Sequence, residues 1–134
     1  MRPATVPLTA WRNARFAEER HFTESDQPLD FTSYSDARLE VRQFGAQAGA
    51  AAISLDKVVT NIEGVRFLEP AHGVLRIQID QATLEAAYDA LFGTNEAGSA
   101  LKLVYDLVLT GPDGADEIWM QGDFTLNPGV SIDG

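Results

Sequence analysis

Hydrophobic and polar residues alternate along much of this chain, with the period of a strand that buries one face. From Ala37 to Gln43, Ala37, Leu39 and Val41 fall on one side and Arg38, Glu40 and Arg42 on the other. From Leu101 to Leu109, Leu101, Leu103, Tyr105, Leu107 and Leu109 share one face, while Lys102, Val104, Asp106 and Val108 share the other. Half of that second face is still apolar, which predicts a central strand. Gly111-Pro112-Asp113-Gly114 follows as a tight turn, because proline presets φ and glycine accepts positive φ. Alternation resumes from Asp116 to Gly122, with Ile118 and Met120 opposite Glu117, Trp119 and Gln121. A hairpin joining these two strands is expected.

Shorter strands are expected at Val65 to Leu68 and Val74 to Ile79, with Pro70 to Gly73 as the turn between them. Lys57 to Ile62 reads as a further strand that Ala51 to Leu55 can pair with, and Asn61 to Gly64 supplies the next turn. Phe124 to Leu126 reads as a final strand stopped by Asn127-Pro128-Gly129. Leu8 to Arg12 and Ala17 to Thr23 read as strands on either side of Asn13-Ala14. One segment has a different period. Leu84, Ala87, Tyr88 and Leu91 recur at i, i+3, i+4 and i+7, the stripe of an amphipathic helix. Asp80 suits the N-cap and Gly93 the C′ position, which predicts a helix from Gln81 to Phe92, with Thr94 to Ser99 as a polar loop.

Many short strands, glycine and proline turns and one helix predict a mainly β chain. The expected architecture is a single antiparallel β-sandwich domain, immunoglobulin-like, spanning residues 1–134. Its helix near 81–92 is expected to cross one open end or to connect the two sheets. A barrel and a split α+β fold are the alternatives. Residues 1–7 and 127–134 are expected to be extended ends.

Composition narrows the function. The chain has 134 residues, enough for one domain and little more. Ten Lys and Arg against 20 Asp and Glu give a formal charge of −10, the wrong sign for gripping nucleic-acid phosphates. With no cysteine, disulfides and thiolate metal sites are excluded. The N-terminus carries no run of signal-peptide character, and no stretch approaches the ~18 apolar residues of a membrane span. The expectation is therefore a chain made in the cytoplasm with no nucleic-acid or membrane partner.

Candidate chemistry is sparse. Asp113-Gly114-Ala115-Asp116-Glu117 is acidic, but it lacks the alternating oxygen ligands and the distant glutamate of a calcium loop, so a hairpin turn explains it better. His21 lies beside Glu18, Glu19 and Glu24, and His72 sits in a turn; neither is in register with a nucleophile. Acidic pairs such as Asp26 with Asp30, Glu18 with Glu19 and Asp116 with Glu117 would suit a small hydrolase, although a solvated acidic face accounts for them. No phosphate-cradling glycine loop is present. Trp11, Trp119 and Tyr34 are candidates for a sugar-stacking platform, weighed against packing in the core or at an interface. No catalytic, cofactor-binding or metal-binding residue is assigned, and the chain is expected not to be an enzyme.

One resemblance adds to this. The segments Val104-Tyr105-Asp106-Leu107-Val108-Leu109-Thr110, Pro112-Asp113-Gly114, Ile118-Trp119-Met120-Gln121-Gly122 and Phe124-Thr125-Leu126-Asn127-Pro128-Gly129-Val130-Ser131 follow one another in order. With Pro28-Leu29-Asp30-Phe31-Thr32 and Ala37-Arg38-Leu39-Glu40-Val41-Arg42 ahead of them, they resemble a family of small tailed-phage virion proteins over roughly residues 28 to 131. That family is similar to the N-terminal β-sandwich domains of siphophage baseplate upper proteins and tail-fibre adaptors. The helix and its loop are longer here than is usual in the family, and residues 1–25 match only loosely. The resemblance implies a structural subunit of the virion that contacts other tail, baseplate or fibre proteins and forms a homo-oligomer in the assembly. It transfers no catalytic residue. Trp11, Trp119, Pro128, Val130 and Ile132 are the expected interface residues, and strand addition by a partner is a further way to cover polar sheet edges. A capsid decoration protein and a carbohydrate-binding module are the alternatives.

Overall fold

The computed structural model describes residues 4–24, 26–43, 51–92 and 100–128. In chain order the strands are β1 (Ala4–Thr5), β2 (Leu8–Trp11), β3 (Phe16–His21), β4 (Thr23–Glu24), β5 (Gln27–Pro28), β6 (Asp36–Gln43), β7 (Ile53–Val58), β8 (Gly64–Glu69) and β9 (Val74–Ile79). Helix α1 (Gln81–Phe92) comes next, then β10 (Leu101–Thr110) and β11 (Asp116–Asn127). The mainly β class and the helix follow the sequence reading. Gly93 and Thr94 to Ser99 lie outside the described residues.

Among the described residues, nine strands form one continuous sheet in the order β1-β11-β10-β6-β7-β8-β9-β3, with β2 also paired to β11. Its two ends are covalent neighbours. Strand β2 lies at one end and β3 at the other, yet only residues 12–15 separate them in the chain. Such a link spans at most about 18 Å, so the sheet must curl until its ends approach each other. Phe16 of β3 and Phe124 of β11 meet across the interior with ring centroids 6.2 Å apart. The result is a half-barrel around one core.

The sheet is mixed, which corrects the expected antiparallel sandwich. β1 and β2 run parallel to β11, and β7 runs parallel to β8. Parallel neighbours normally need a long crossover. Here residues 59–63 suffice, because β7 and β8 share only the pairs Lys57–Val65 and Val58–Arg66. The close approach depends on Gly64, at φ +143, where a Cβ would stand 2.6 Å from the Asp56 carbonyl oxygen. The strand expected from Lys57 to Ile62 and its pairing with Ala51 to Leu55 are therefore replaced by the single strand β7, since the chain must turn at Val59 to reach β8.

The inward faces are those the alternation marked. Ala37, Leu39, Val41, Leu101, Leu103, Tyr105, Leu107, Leu109, Leu75, Ile77 and Ile79 are all buried. Each large apolar side chain of this kind contributes about 1.5–3 kcal/mol on burial. Helix α1 closes one end of the half-barrel by directing Leu84, Ala87 and Tyr88 into the core. Its start is held by the Asp80 carbonyl, which accepts from the Thr83 and Leu84 N–H groups. Phe22, Phe31 and Tyr34, on either side of the small hairpin β4–β5, close the other end with aromatic rings.

Strand β11 departs from the sequence reading in two ways. Asp116 to Gly122 and Phe124 to Leu126 form one strand rather than two, passing through Gly122 at φ +150. Leu107 pairs with Met120 and Val108 with Ile118, so Trp119 is the extra residue of a β-bulge. The bulge rotates Trp119 into the core beside Met120 and turns Ile118 out to 45% exposure. That reverses the faces expected for Ile118 and Trp119.

Candidate interaction surface

The helix-capped end of the half-barrel brings together residues that the sequence placed far apart. Leu8 and Ala10 of β2 point inward and seat the strand on β11, which leaves Trp11 at its tip with 47% of its surface exposed. Trp11 pairs in register with Asn127, and the Arg12 N–H donates to the Asn127 carbonyl at 2.9 Å. Pro128 follows directly and is half-buried. Arg12 stacks over the Tyr88 ring at 5.0 Å and lies 3.6 Å from the Asp89 carboxylate. The cationic side chain thus ties the β2 turn to the helix. Of the expected interface residues, Trp11 and Pro128 meet here, and Val130 and Ile132 lie outside the described residues.

Trp119 stands at the opposite end and is 6% exposed. Its ring meets Phe22, Phe31 and Tyr34 edge-on, with centroids at 5.7, 4.9 and 5.8 Å. Trp119 Nε1 donates to Glu117 Oε1 at 3.1 Å, and the Tyr34 hydroxyl donates to the same oxygen at 2.8 Å. Burial, then the hydrogen bond and charge of Glu117, push the Tyr34 hydroxyl up to about 12. Both rings pack against neighbouring aromatics, so neither offers the open face that a sugar would stack on. Lys57 covers Phe67 from outside at 5.7 Å.

The outer face of β6, β10 and β11 is polar and shallowly concave. A depression of about 380 Å³ lies between Thr5, Glu40, Arg42, Asp106, Gln121 and Asp123. Glu40 and Asp106 stand directly opposite in the ladder, a like-charge pairing. Burial first, and then Glu40, hold the Asp106 carboxyl above the ordinary carboxylate range, while Arg42 and Arg38 pull the other way. Arg42 contacts Glu40, and Arg38 donates to Asp116 at 3.0 Å.

The remaining candidates are engaged in local contacts. His21 lies 3.7 Å from Glu19 and His72 lies 3.7 Å from Glu69, all four well exposed. Asp30 accepts from the Thr32 N–H and hydroxyl, which lowers its carboxyl below the usual range. Asp113 accepts from the Ala115 N–H inside the hairpin turn. Among the described residues no group of three or more histidine or acidic side chains is placed to hold a metal ion. Among them, too, no helix is long and apolar enough to cross a membrane.

Sequence reasoning missed three exposed apolar residues: Val59 at 77%, Ile62 at 55% and Ile118 at 45%. Val59 and Ile62 fell inside an expected strand, and the bulge that turns Ile118 outward leaves no mark in the alternation. No protein-family model matches the chain, and no curated protein matches its sequence.

Proposed function

We propose that this chain is a structural subunit of a tailed phage or phage-like particle, a tail, baseplate or fibre-adaptor protein that acts through protein–protein contacts. The observation that carries the reading is the end of the half-barrel where Trp11 stands exposed beside Asn127 and Pro128. An exposed tryptophan over a rigid, helix-braced rim has the make-up of an interface anchor. The rim lies at the end of β11, the strand that carries much of the resemblance to virion proteins. The function requires no catalytic group and no cofactor. The charge of −10 keeps free subunits apart before assembly and makes their packing salt-sensitive. A capsid decoration role uses the same surface at a different place in the particle.

A carbohydrate-binding role is less well supported, because Tyr34 and Trp119 are committed to the aromatic cluster. Immunogold electron microscopy of particles induced from the source culture tests the proposal. Gold at the tail tip or neck supports an adaptor, and gold on the capsid moves the role to the head. Unlabelled particles with free protein refute the structural role. Trp11→Ala is expected to leave the isolated subunit folded and to block its incorporation.

A further inference from the structure

The sheet ends in an edge that no strand covers among the described residues. Strand β3 pairs with β9 on one side only, in the register Phe16–Ile79 to His21–Val74. The next pair in that register is Phe22 with Gly73, whose Phe22 N–H donates to the Gly73 carbonyl at 2.9 Å. In an antiparallel ladder, hydrogen-bonded residues alternate with unbonded ones. The bonds to β9 therefore fall on Phe16, Glu18 and Arg20, and the N–H and C=O groups of Ala17, Glu19 and His21 point away from the sheet. Those three residues are exposed, Glu19 and His21 with side-chain exposures of 58% and 65%. The opposite edge of the sheet is less suited to a guest. β1 and β2 are separated by Val6 and Pro7, and proline has no N–H to give.

We propose that the β3 edge is a docking site for an extended, basic, β-forming segment of another protein, which adds a strand beside Ala17, Glu19 and His21. The inference rests on the reading of the chain as a protein-contact module. Charge selects the guest. A strand laid against β3 places side chains about 5 Å from those of Ala17, Glu19 and His21. On the inner side Glu18 and Arg20 contact and neutralise each other. On the outer side the register sets Arg76 across from Glu19 and His21 lies 3.7 Å from it, so the pull on a basic guest comes from the chain's charge of −10 as a whole, with Glu19 as the acid nearest the open edge. A second copy of this chain is disfavoured, since antiparallel pairing centred on β3 sets Glu19 against Glu19 between two chains of charge −10.

The test uses the full chain and the acetylated, amidated peptide Val-Thr-Val-Lys-Val-Thr-Val, with nuclear magnetic resonance titration as readout. Amide shifts are expected to concentrate on residues 16–21. Ala17→Pro keeps the charge and the bonds to β9 but removes one outward donor. It is expected to weaken binding about tenfold, the weight of one lost hydrogen bond, with an unchanged unfolding midpoint. A glutamate-centred peptide is expected to bind more weakly still. Should Ala17→Pro fail to fold, a peptide N-methylated along one edge must show the same loss on the native chain. Binding that is indifferent to Ala17→Pro and to N-methylation would be charge alone and overturns the proposal. So do shifts centred elsewhere, no binding at millimolar peptide, or self-association through β3. The particle-labelling experiment stands apart, so the edge can fail while the virion reading survives, and the reverse.

Discussion

Replacing Gly122 by alanine should release the N-terminal arm. Gly122 lies at φ +150 where Val6 crosses β11, and a Cβ there would stand 2.7 Å from the Val6 oxygen, 3.2 Å from its carbonyl carbon and 3.3 Å from its nitrogen. All three are backbone atoms, so no side-chain rotation relieves the clash. Val6 is also held from two directions. Its N–H donates to the Gln121 carbonyl at 2.9 Å, and its carbonyl accepts from the Tyr105 hydroxyl at 2.6 Å. Forcing a side chain into the positive-φ region costs about 1–3 kcal/mol. Leaving the buried Tyr105 hydroxyl without its acceptor costs about 1–3 kcal/mol more. Together they predict a loss of about 3 kcal/mol, or a fall of about 10 °C in the unfolding midpoint for a chain of this size. Urea denaturation measures the first and a thermal melt the second. Trypsin adds a local readout, because an undocked arm exposes the bonds after Arg12 and Arg15 to cleavage. Tyr105→Phe alone should cost about 1 kcal/mol, and the double variant less than the sum, since both act through the Val6 carbonyl. A Gly122→Ala protein within about 0.5 kcal/mol of the parent, with Arg12 still protected, would refute the reasoning.

Other substitutions separate the core from the surface. Trp119→Ala should cost about 3–5 kcal/mol and flatten the near-ultraviolet circular dichroism of the aromatic cluster, whereas Trp11→Ala should change stability by about 0.5 kcal/mol or less. The hydroxyls of Tyr34 and Tyr105 are both pushed up to about 12 by burial, with Glu117 as the further cause at Tyr34. Because the unfolded tyrosine loses its proton first, their contribution is full below about pH 10 and disappears as pH rises through about 12; Tyr34→Phe and Tyr105→Phe should flatten that fall in melts taken across the range. Asp106, raised by burial and by Glu40, follows the same sign: its folded form favours the proton, so its contribution is present in acid and lost as pH rises. Asp106→Asn should accordingly raise the unfolding midpoint at pH 7 and leave it unimproved at pH 3.

Much of the local structure is written in adjacent residues. The strands at Ala37 to Gln43, Val74 to Ile79 and Leu101 to Leu109 match β6, β9 and β10 within a residue or two, and their inward faces are the apolar ones. Helix α1 has the bounds that Asp80 and the i, i+3, i+4, i+7 stripe imply. The 111–114 turn joins β10 to β11 as its glycine and proline require. Of the candidate surface, the exposure of Trp11 follows from its position at the end of a short strand. The burial of Trp119 does not, because a bulge is defined against a partner strand and shifts the faces without changing the pattern.

By itself, then, the sequence determined where most strands and the helix lie and, outside the bulge of β11, which faces are apolar, because steric preference and side-chain period act over a few neighbouring residues. It also determined the acidic net charge of −10. Only the tertiary structure decided which strands pair. Residues 4–11 could lie in hairpin with β3, but they run parallel to β11 because Gly122 lets Val6 cross and Tyr105 captures its carbonyl. Strand β3 consequently pairs with β9, and among the described residues no strand covers its other edge. Pairing joins residues far apart in the chain, and its energy comes from a shared core that no local window contains.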